Sequence, residues 1–210
     1  MSMKTIVFYS QLESLKRTEK LEQCARRLIA DDKKVVLLDA NIFTQGIGQW
    51  MCCDLMKNKG LIDYLLFYQD FGEASVEIQN YLVASGIGVN YPFIIPAMGN
   101  VTIQQYLTQV LSIDWRKMFP ETGLSTGVAL LMYLKDLIEA RLNPDYLLIE
   151  VPAGITDIGN AIIKRLADLI ICMSTGASNE MFTELYGDKK FVVIEEYTRT
   201  YEIMKYFESS

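Results

Sequence analysis

The beginning of the chain constrains the fold most, because two strand patterns enclose a helix pattern there. Lys4–Ser10 is β-branched and aromatic, and Lys34–Asp39 is a continuous apolar run that ends in a carboxylate. Both patterns predict buried strands. Between them we predict a helix that begins near Thr18. Its apolar residues recur at helical spacing: Leu21, Cys24, Ala25, Leu28 and Ile29. A strand, a helix and a second strand predict a βαβ unit with parallel strands.

The turn between the first strand and the helix, Gln11–Thr18, contains no glycine. Where an α/β protein binds phosphate at such a turn, glycines allow positive φ angles and bring backbone N–H groups close to the anion. A β-carbon at such a position costs about 1 kcal/mol or more. Glu13 also adds a carboxylate, whereas Lys16 and Arg17 keep positive charge at the start of the helix. The Thr18 hydroxyl is suited either to Mg²⁺ or to capping the helix, and we favour the N-cap.

Five segments of the chain resemble one family, the ParA/MinD-like deviant P-loop ATPases. Residues 8–18 (FYSQLESLKRT) are similar to a turn that reads FYSYKGGVGRT in one branch of that family. The other similar segments follow in order: VVLLDAN at 35–41, IIPAMGN at 94–100, LSIDWRKMF at 111–119 and NPDYLLIEVPAGITDIG at 143–159. Together these segments span most of the chain, so the resemblance implies the fold of this family.

The resemblance also shows what has changed in the turn. The family's signature lysine falls on Leu12, and its second P-loop lysine falls on Arg17. The three glycines fall on Glu13, Ser14 and Lys16. The resemblance therefore implies a degenerate Walker A loop. If a nucleotide binds, the residues implied for its phosphates are Lys16, Arg17 and Thr18.

Two carboxylates, Asp39 and Glu150, end apolar strands on the side of the sheet where α/β proteins bind ligands. The resemblance places Asp39 at the family's water-orienting aspartate. It places Glu150 at the Walker B position, where an aspartate normally holds the Mg²⁺ shell. With Thr18 they would hold Mg²⁺ if Mg-nucleotide binds, and Asp39 would be catalytic if the protein is active. We favour the simpler interpretation, in which both are inherited residues without a ligand.

The composition excludes several classes of site. The chain has 210 residues, half of them apolar, and no Gly/Ser/Pro linker, which predicts one domain over residues 1–210. It has no histidine, which excludes a histidine triad, a histidine metal site and a histidine general base. The four cysteines lack the paired spacing of a metal site, and adjacent Cys52 and Cys53 are interpreted as small apolar residues. A reducing cytoplasm fits this pattern best.

Further patterns predict how the chain continues. Helices are expected at Leu61–Phe67, Glu77–Val83 and Gly123–Leu142, the last of them stopped by Asn143 and Pro144. Strands are expected at Tyr91–Ala97, Tyr146–Ile149, Asp168–Met173 and Phe191–Glu195. The segment Glu196–Ser210 fits either an ordered helix or a tail. Alternating strands and helices predict an α/β fold with a doubly wound, mostly parallel sheet and helices on both faces.

The sequence favours protein partners over membranes or nucleic acid. No apolar run approaches the roughly 18 residues that a membrane span requires, and no cationic segment leads into an apolar one at the N-terminus. MinD-type relatives attach through a basic amphipathic C-terminal helix, whereas this chain ends EIMKYFESS. A net charge of −6 without a Lys/Arg cluster disfavours nucleic acid. We therefore expect a protein partner or a homodimer.

These patterns lead to two functional hypotheses. The first is a degenerate ParA/MinD-like protein without ATP hydrolysis and without a cofactor. It would act as a protein-binding, scaffold or positioning module, with Leu12 and Leu15 burying apolar surface against the partner. The alternative is an ATP-binding switch or weak ATPase, with Mg-ATP held by a loop rebuilt around Lys16, Arg17 and Thr18. A nucleotide-free DNA-partition adaptor is a third possibility, and it would need a basic surface that the linear sequence lacks.

Overall fold

The computed structural model describes residues 2–12, 15–44, 46–47, 58–84, 92–120, 125–174 and 179–208. The strands are β1 (Lys4–Ser10), β2 (Val35–Asp39), β3 (Val83–Ala84), β4 (Phe93–Ile95), β5 (Tyr146–Glu150), β6 (Leu169–Met173) and β7 (Phe191–Ile194). The helices are α1 (Leu15–Ala30), α2 (Leu61–Phe71), α3 (Ile103–Ser112), α4 (Trp115–Met118), α5 (Thr126–Leu142), α6 (Asp157–Arg165), α7 (Asn179–Tyr186) and α8 (Thr200–Glu208).

The described strands form one sheet of seven, in the order β3-β4-β2-β5-β1-β6-β7. Every neighbouring pair is parallel except β3 and β4, which pair antiparallel. The chain therefore leaves β1 in one direction to form β2 and later returns to the other side of β1 to form β6. This arrangement confirms the predicted α/β fold with a doubly wound, mostly parallel sheet. Ligands of such sheets bind at the carboxyl ends of the strands, where the strand order reverses.

The strands are apolar throughout because both faces of the sheet are covered. Along β1, Val7 and Tyr9 pack on one face, and Ile6 and Phe8 pack on the other. The first face is covered by helices α2, α5 and α6. The second face is covered by α1 and α8, whose apolar residues include Leu21 and Phe207. The two layers of helices fix β1 and β5 in the centre of the molecule.

Two predictions about local structure are wrong. The helix expected to begin near Thr18 begins at Leu15, so Thr18 lies inside it. The helix expected over Glu77–Val83 is a 3₁₀ turn at Ile78–Asn80 followed by strand β3. Val83 pairs with Ile94 of β4. The hydrogen bonds of that antiparallel pair override the weak local preference for a helix.

Other elements lie close to where the sequence predicts them. Helix α2 extends to Phe71 and ends at Gly72, whose φ of 71° suits a glycine. Helix α5 begins after Ser125, which caps it by accepting a hydrogen bond from Val128 N, while residues 121–124 lie outside the described ranges. Helix α5 ends at Leu142, and Asn143 follows it as the C-cap with φ of 44°, which confirms the predicted stop. Most of the C-terminal segment is the ordered helix α8.

Candidate functional site

The carboxyl ends of β1, β2 and β5 meet at the centre of the sheet. In the register of the strands, Asp39 lies opposite Glu150, and Phe8 lies opposite Glu150 on the other side. Both carboxylates are fully buried. The backbone extends the pairing by one residue, because Ala40 N donates to the Glu150 carbonyl over 2.9 Å. The structure therefore brings the two carboxylates side by side, as their positions at the ends of apolar strands predicted.

The Arg17 side chain points into the sheet edge rather than out toward solvent. It is the third residue of α1 and is 0% exposed. Its Nε donates to Glu150 Oε1 over 3.1 Å, and its Nη1 donates to Ser10 Oγ over 2.6 Å. The guanidinium group thus bridges the ends of β1 and β5. The sequence singled out Arg17 and Glu150 separately, but it did not indicate that they form an ion pair.

Thr18 has a different role from the N-cap that the sequence favoured. Its hydroxyl donates to Glu150 Oε1 over 2.8 Å, from inside the first turns of α1. A third donor is Asn41 Nδ2, 3.3 Å from the same oxygen. The N-cap prediction is wrong because the helix begins three residues before Thr18 and turns its side chain toward β5. Sequence reasoning missed Ser10 and Asn41, although both are polar residues at or just beyond the end of an apolar strand.

Two acceptor atoms beside this ion pair are buried without a hydrogen-bond partner in the described part of the chain. They are Glu150 Oε2 and Asn41 Oδ1. The backbone of Gly46 closes over this region. A β-carbon added at Gly46 would lie 2.5 Å from Thr18 Oγ1 and 3.0 Å from Glu150 Oε2. Because real β-carbons do not approach so closely, only glycine fits here without a shift of the surroundings.

Asp39 is held by the loop that follows β2. Its Oδ1 accepts a hydrogen bond from Asn41 N over 3.0 Å. Nearby, the Tyr106 hydroxyl donates to the Ile42 carbonyl over 2.8 Å. Burial raises the pKa of Tyr106, and the negative charge of Asp39 raises it further. Asp39 is therefore a buried strand-end carboxylate that is shielded from solvent.

Lys16 is directed away from the buried pair. It forms an ion pair with Glu196, and its Nζ lies 5.0 Å from the centre of the Tyr197 ring. The hydrogen bond to Glu196 raises the pKa of Lys16. Lys20 adds a second link to the same loop, because its Nζ donates to the Thr198 carbonyl over 2.7 Å. The segment after β7 is thereby attached to α1. Of the three residues predicted to bind phosphates, Lys16 points toward this segment, whereas Arg17 and Thr18 both contact Glu150.

Three apolar side chains in the segments after the strands of this sheet edge are exposed to solvent. They follow the adjacent strands β1, β2 and β5, and we call them the apolar rim: Leu12, Phe43 and Ile155, which are 67%, 64% and 57% exposed. Gly154, with φ of 71°, donates from its N to the Ser10 carbonyl over 3.0 Å and so holds the Ile155 turn against β1. Glu13, Ser14 and the Leu15 side chain lie outside the described residues, as do Cys52 and Cys53.

Comparison with solved structures agrees with this architecture. A plasmid partition protein from Borrelia burgdorferi superposes with a TM-score of 0.63 and 17% identity, covering 100% of this chain and 86% of that one. A chain of the MinC:MinD cell division protein complex from Aquifex aeolicus gives 0.64 and 18%, covering 97% and 72%. Cobyrinic acid a,c-diamide synthase from Mycobacterium smegmatis gives 0.66 and 12%, covering 99% and 81%. The chain has the ParA/MinD fold. Identities this low establish the fold alone.

The sequence itself gives no closer match. No protein-family model matches it, and no curated protein matches it significantly. Across the described ranges, no helix of this ParA/MinD fold is both long enough and apolar enough to cross a membrane.

The ParA/MinD fold raises the question of whether this sheet edge suits Mg²⁺. Thr18 and Glu150 are bonded to each other through Glu150 Oε1, and the Arg17 guanidinium lies 3.1 Å from that oxygen. This cation already balances the carboxylate and would repel a divalent ion beside it. The Gly46 backbone closes the remaining side. In this arrangement the predicted set of Thr18, Asp39 and Glu150 does not fit a hydrated Mg²⁺.

Proposed function

We propose that this chain is a degenerate ParA/MinD-like P-loop protein that does not hydrolyse ATP and works as a protein-binding, scaffold or positioning module. One observation carries the proposal. Arg17, at the position of the P-loop lysine in the resemblance, is fully buried and donates to Glu150 and Ser10. A cation held in this way is not directed at a phosphate group.

Two further features support this function. The segment from Gln11 to Thr18 has no glycine, and Leu12 stands where the family in the resemblance has its signature lysine. The same edge presents the apolar rim of Leu12, Phe43 and Ile155 to solvent. Exposed apolar side chains on one edge favour a protein partner. Burying apolar surface against a partner lowers the free energy by about 25 cal/mol per Å².

The first test is nucleotide binding. Calorimetry with the full chain and ATP, ADP or GTP in the presence of Mg²⁺ is expected to show no binding up to millimolar nucleotide. The physical reason is that binding would have to separate a buried ion pair and rebuild a turn without glycines. Micromolar binding of any of the three nucleotides would overturn the proposal.

The second test addresses the apolar rim. Leu12→Asp, Phe43→Asp and Ile155→Asp place a charge on the rim without touching the core. Leu111→Asp is the matched control, because Leu111 is 83% exposed on α3 and lies outside the rim. The mass in solution, measured by light scattering, shows whether the chain forms a homodimer. Cross-linking shows whether it binds a partner that is a different protein. We expect the rim variants to lose the association and the control to keep it; association that survives all three rim variants would argue against this surface.

One observation favours a second candidate, an ATP-binding switch or weak ATPase. Glu150 Oε2 is buried without a donor, which is an unfavourable state that a bound cation would relieve. In this candidate Lys16, Arg17 and Thr18 contact the phosphates, and Thr18, Asp39 and Glu150 hold Mg²⁺ after the ion pair opens. Arg17→Ala would then abolish nucleotide binding, so the calorimetry above separates the two candidates.

A further inference from the structure

The Glu150 carboxylate occupies the position in which donors of α1 converge. We propose that Glu150 is a built-in anion that takes the place of a phosphate group and holds the site closed. This inference rests on the proposed function, because it explains why a ParA/MinD fold would dispense with a nucleotide. It concerns a part of the chain itself, and so it can be tested without knowing the partner.

The donors around the Glu150 carboxylate are side-chain groups that can also bind a phosphate-type anion. Arg17 and Thr18 come from the first turns of α1, and Asn41 comes from the loop after β2. The positive end of a helix dipole favours a negative group at this place. Helix α1 has no acidic residue in its own first turn. The carboxylate of β5 supplies that negative charge from across the sheet edge.

The length of the side chain matters for this role. The family in the resemblance has an aspartate where this chain has Glu150, and the glutamate side chain is longer by one methylene group. The added length lets the carboxylate reach out from the end of β5 to the donors on α1. An aspartate at the same backbone position would fall short of Arg17 and Thr18 by about one carbon–carbon bond.

The carboxylate accepts these hydrogen bonds with only one of its two oxygens. All three donors converge on Oε1, whereas Oε2 is buried and has no partner among the described residues. A buried acceptor without a donor is costly. A phosphate-type anion carries more acceptor oxygens, so it could accept from the same donors with several oxygens rather than one. Removal of the carboxylate should therefore open the site to inorganic phosphate or pyrophosphate.

The experiment measures pyrophosphate binding by calorimetry in the presence of EDTA, so that no metal contributes. Glu150→Gln removes the charge, and Glu150→Ala removes both the charge and the volume of the side chain. Glu73→Gln is the matched control, since it removes the same charge from an exposed position. We expect the affinity for pyrophosphate to rise from the wild type to Glu150→Gln to Glu150→Ala, by at least about tenfold over the series. The control should bind pyrophosphate as the wild type does. Adding Arg17→Met to Glu150→Ala should remove the gain.

Folding of the variants supplies a second readout. Pyrophosphate should raise the melting temperature of both Glu150 variants and leave that of the wild type unchanged. If a variant folds only when pyrophosphate is added, the anion has replaced the carboxylate and the proposal is supported. The proposal is overturned if the folded variants gain neither pyrophosphate affinity nor melting temperature. It is also overturned if an unfolded variant does not fold when pyrophosphate is added. Those results leave the proposed function intact, because it is tested separately by nucleotide binding to the wild type and by the rim variants.

Discussion

Arg17 and Glu150 are both fully buried, so each has exchanged hydration for contact with the other. Removing one partner strands the remaining charge in the interior, which costs about 3–5 kcal/mol. Arg17→Met is therefore expected to lower the free energy of unfolding by that amount, measured by urea denaturation. Arg27→Met is the control, because Arg27 pairs with Asp31 on the surface, where both side chains are exposed. Its loss should cost no more than about 1 kcal/mol.

A double variant makes this prediction stricter. Adding Glu150→Gln to Arg17→Met removes the stranded charge and should recover part of the lost stability. If Arg17→Met costs as little as Arg27→Met, the buried pair is not an energetic unit. If the double variant loses more free energy of unfolding than the two single variants lose together, the two charges do not compensate each other.

At the scale of elements, the end of α5 offers a sharp test of backbone strain. Asn143 has φ of 44° and ψ of 57°, a left-handed conformation that glycine adopts easily and other residues adopt at a cost. Asn143→Ala is expected to be about 1 kcal/mol less stable than Asn143→Gly, because only alanine brings a β-carbon into that conformation. Urea unfolding of the two variants gives the difference directly.

The control for the helix end is a change of the same type at an ordinary φ. Asn80 is exposed, and its φ is not positive. Asn80→Ala and Asn80→Gly should therefore show the opposite order, since glycine gains more freedom in the unfolded chain. If the alanine and glycine variants rank in the same order of stability at both positions, the left-handed conformation of Asn143 does not limit the stability of α5.

The elements also show which parts of the fold a single sequence can predict. The strands β2, β5 and β6 were predictable because burial on both faces makes them continuously apolar. Strand β3 was not, because two residues carry no periodicity and depend on pairing with β4. The start of α1 was placed too late because the prediction used Thr18 as the cap, although Ser14, directly before Leu15 in the sequence, is also a residue type favoured at N-caps.

The candidate site, too, was predictable only in part from the sequence. Asp39 and Glu150 could be found because each ends an apolar run, and parallel strands must bring such ends together. The ion pair could not be found, because it depends on which way the Arg17 side chain turns at the start of α1. That direction is set by Ser10 and Glu150, which are 7 and 133 residues away in the chain. Local patterns contain no information on contacts at such separations.

At the scale of the whole molecule, the buried tyrosines and cysteines contribute to how the free energy of unfolding changes at alkaline pH. Burial raises the pKa of Cys24 and of Cys172 to about 12, from an ordinary 9.0. Burial is also the main cause that raises the pKa of Tyr81 and of Tyr186 to about 12, from 10.0. In the folded protein these groups stay neutral where the unfolded chain already ionises. Their contribution to stability is therefore complete below pH 9.0 and is lost as the pH rises toward about 12.

The expected result is a free energy of unfolding that falls from about pH 9 upward, by up to about 1.4 kcal/mol per pH unit for each such group. Because the chain has no histidine, no imidazole titration precedes this fall in the neutral range. Urea denaturation from pH 7 to pH 11, with a reducing agent present, measures the curve. The Cys24→Ala/Cys172→Ala double variant is the control, since it removes both thiols. Its curve should fall less steeply between pH 9 and pH 10, where the thiols ionise first, and should approach the wild-type slope once the tyrosines of the unfolded chain ionise. Parallel curves over the whole range would mean that the two thiols titrate alike in the folded and unfolded chain.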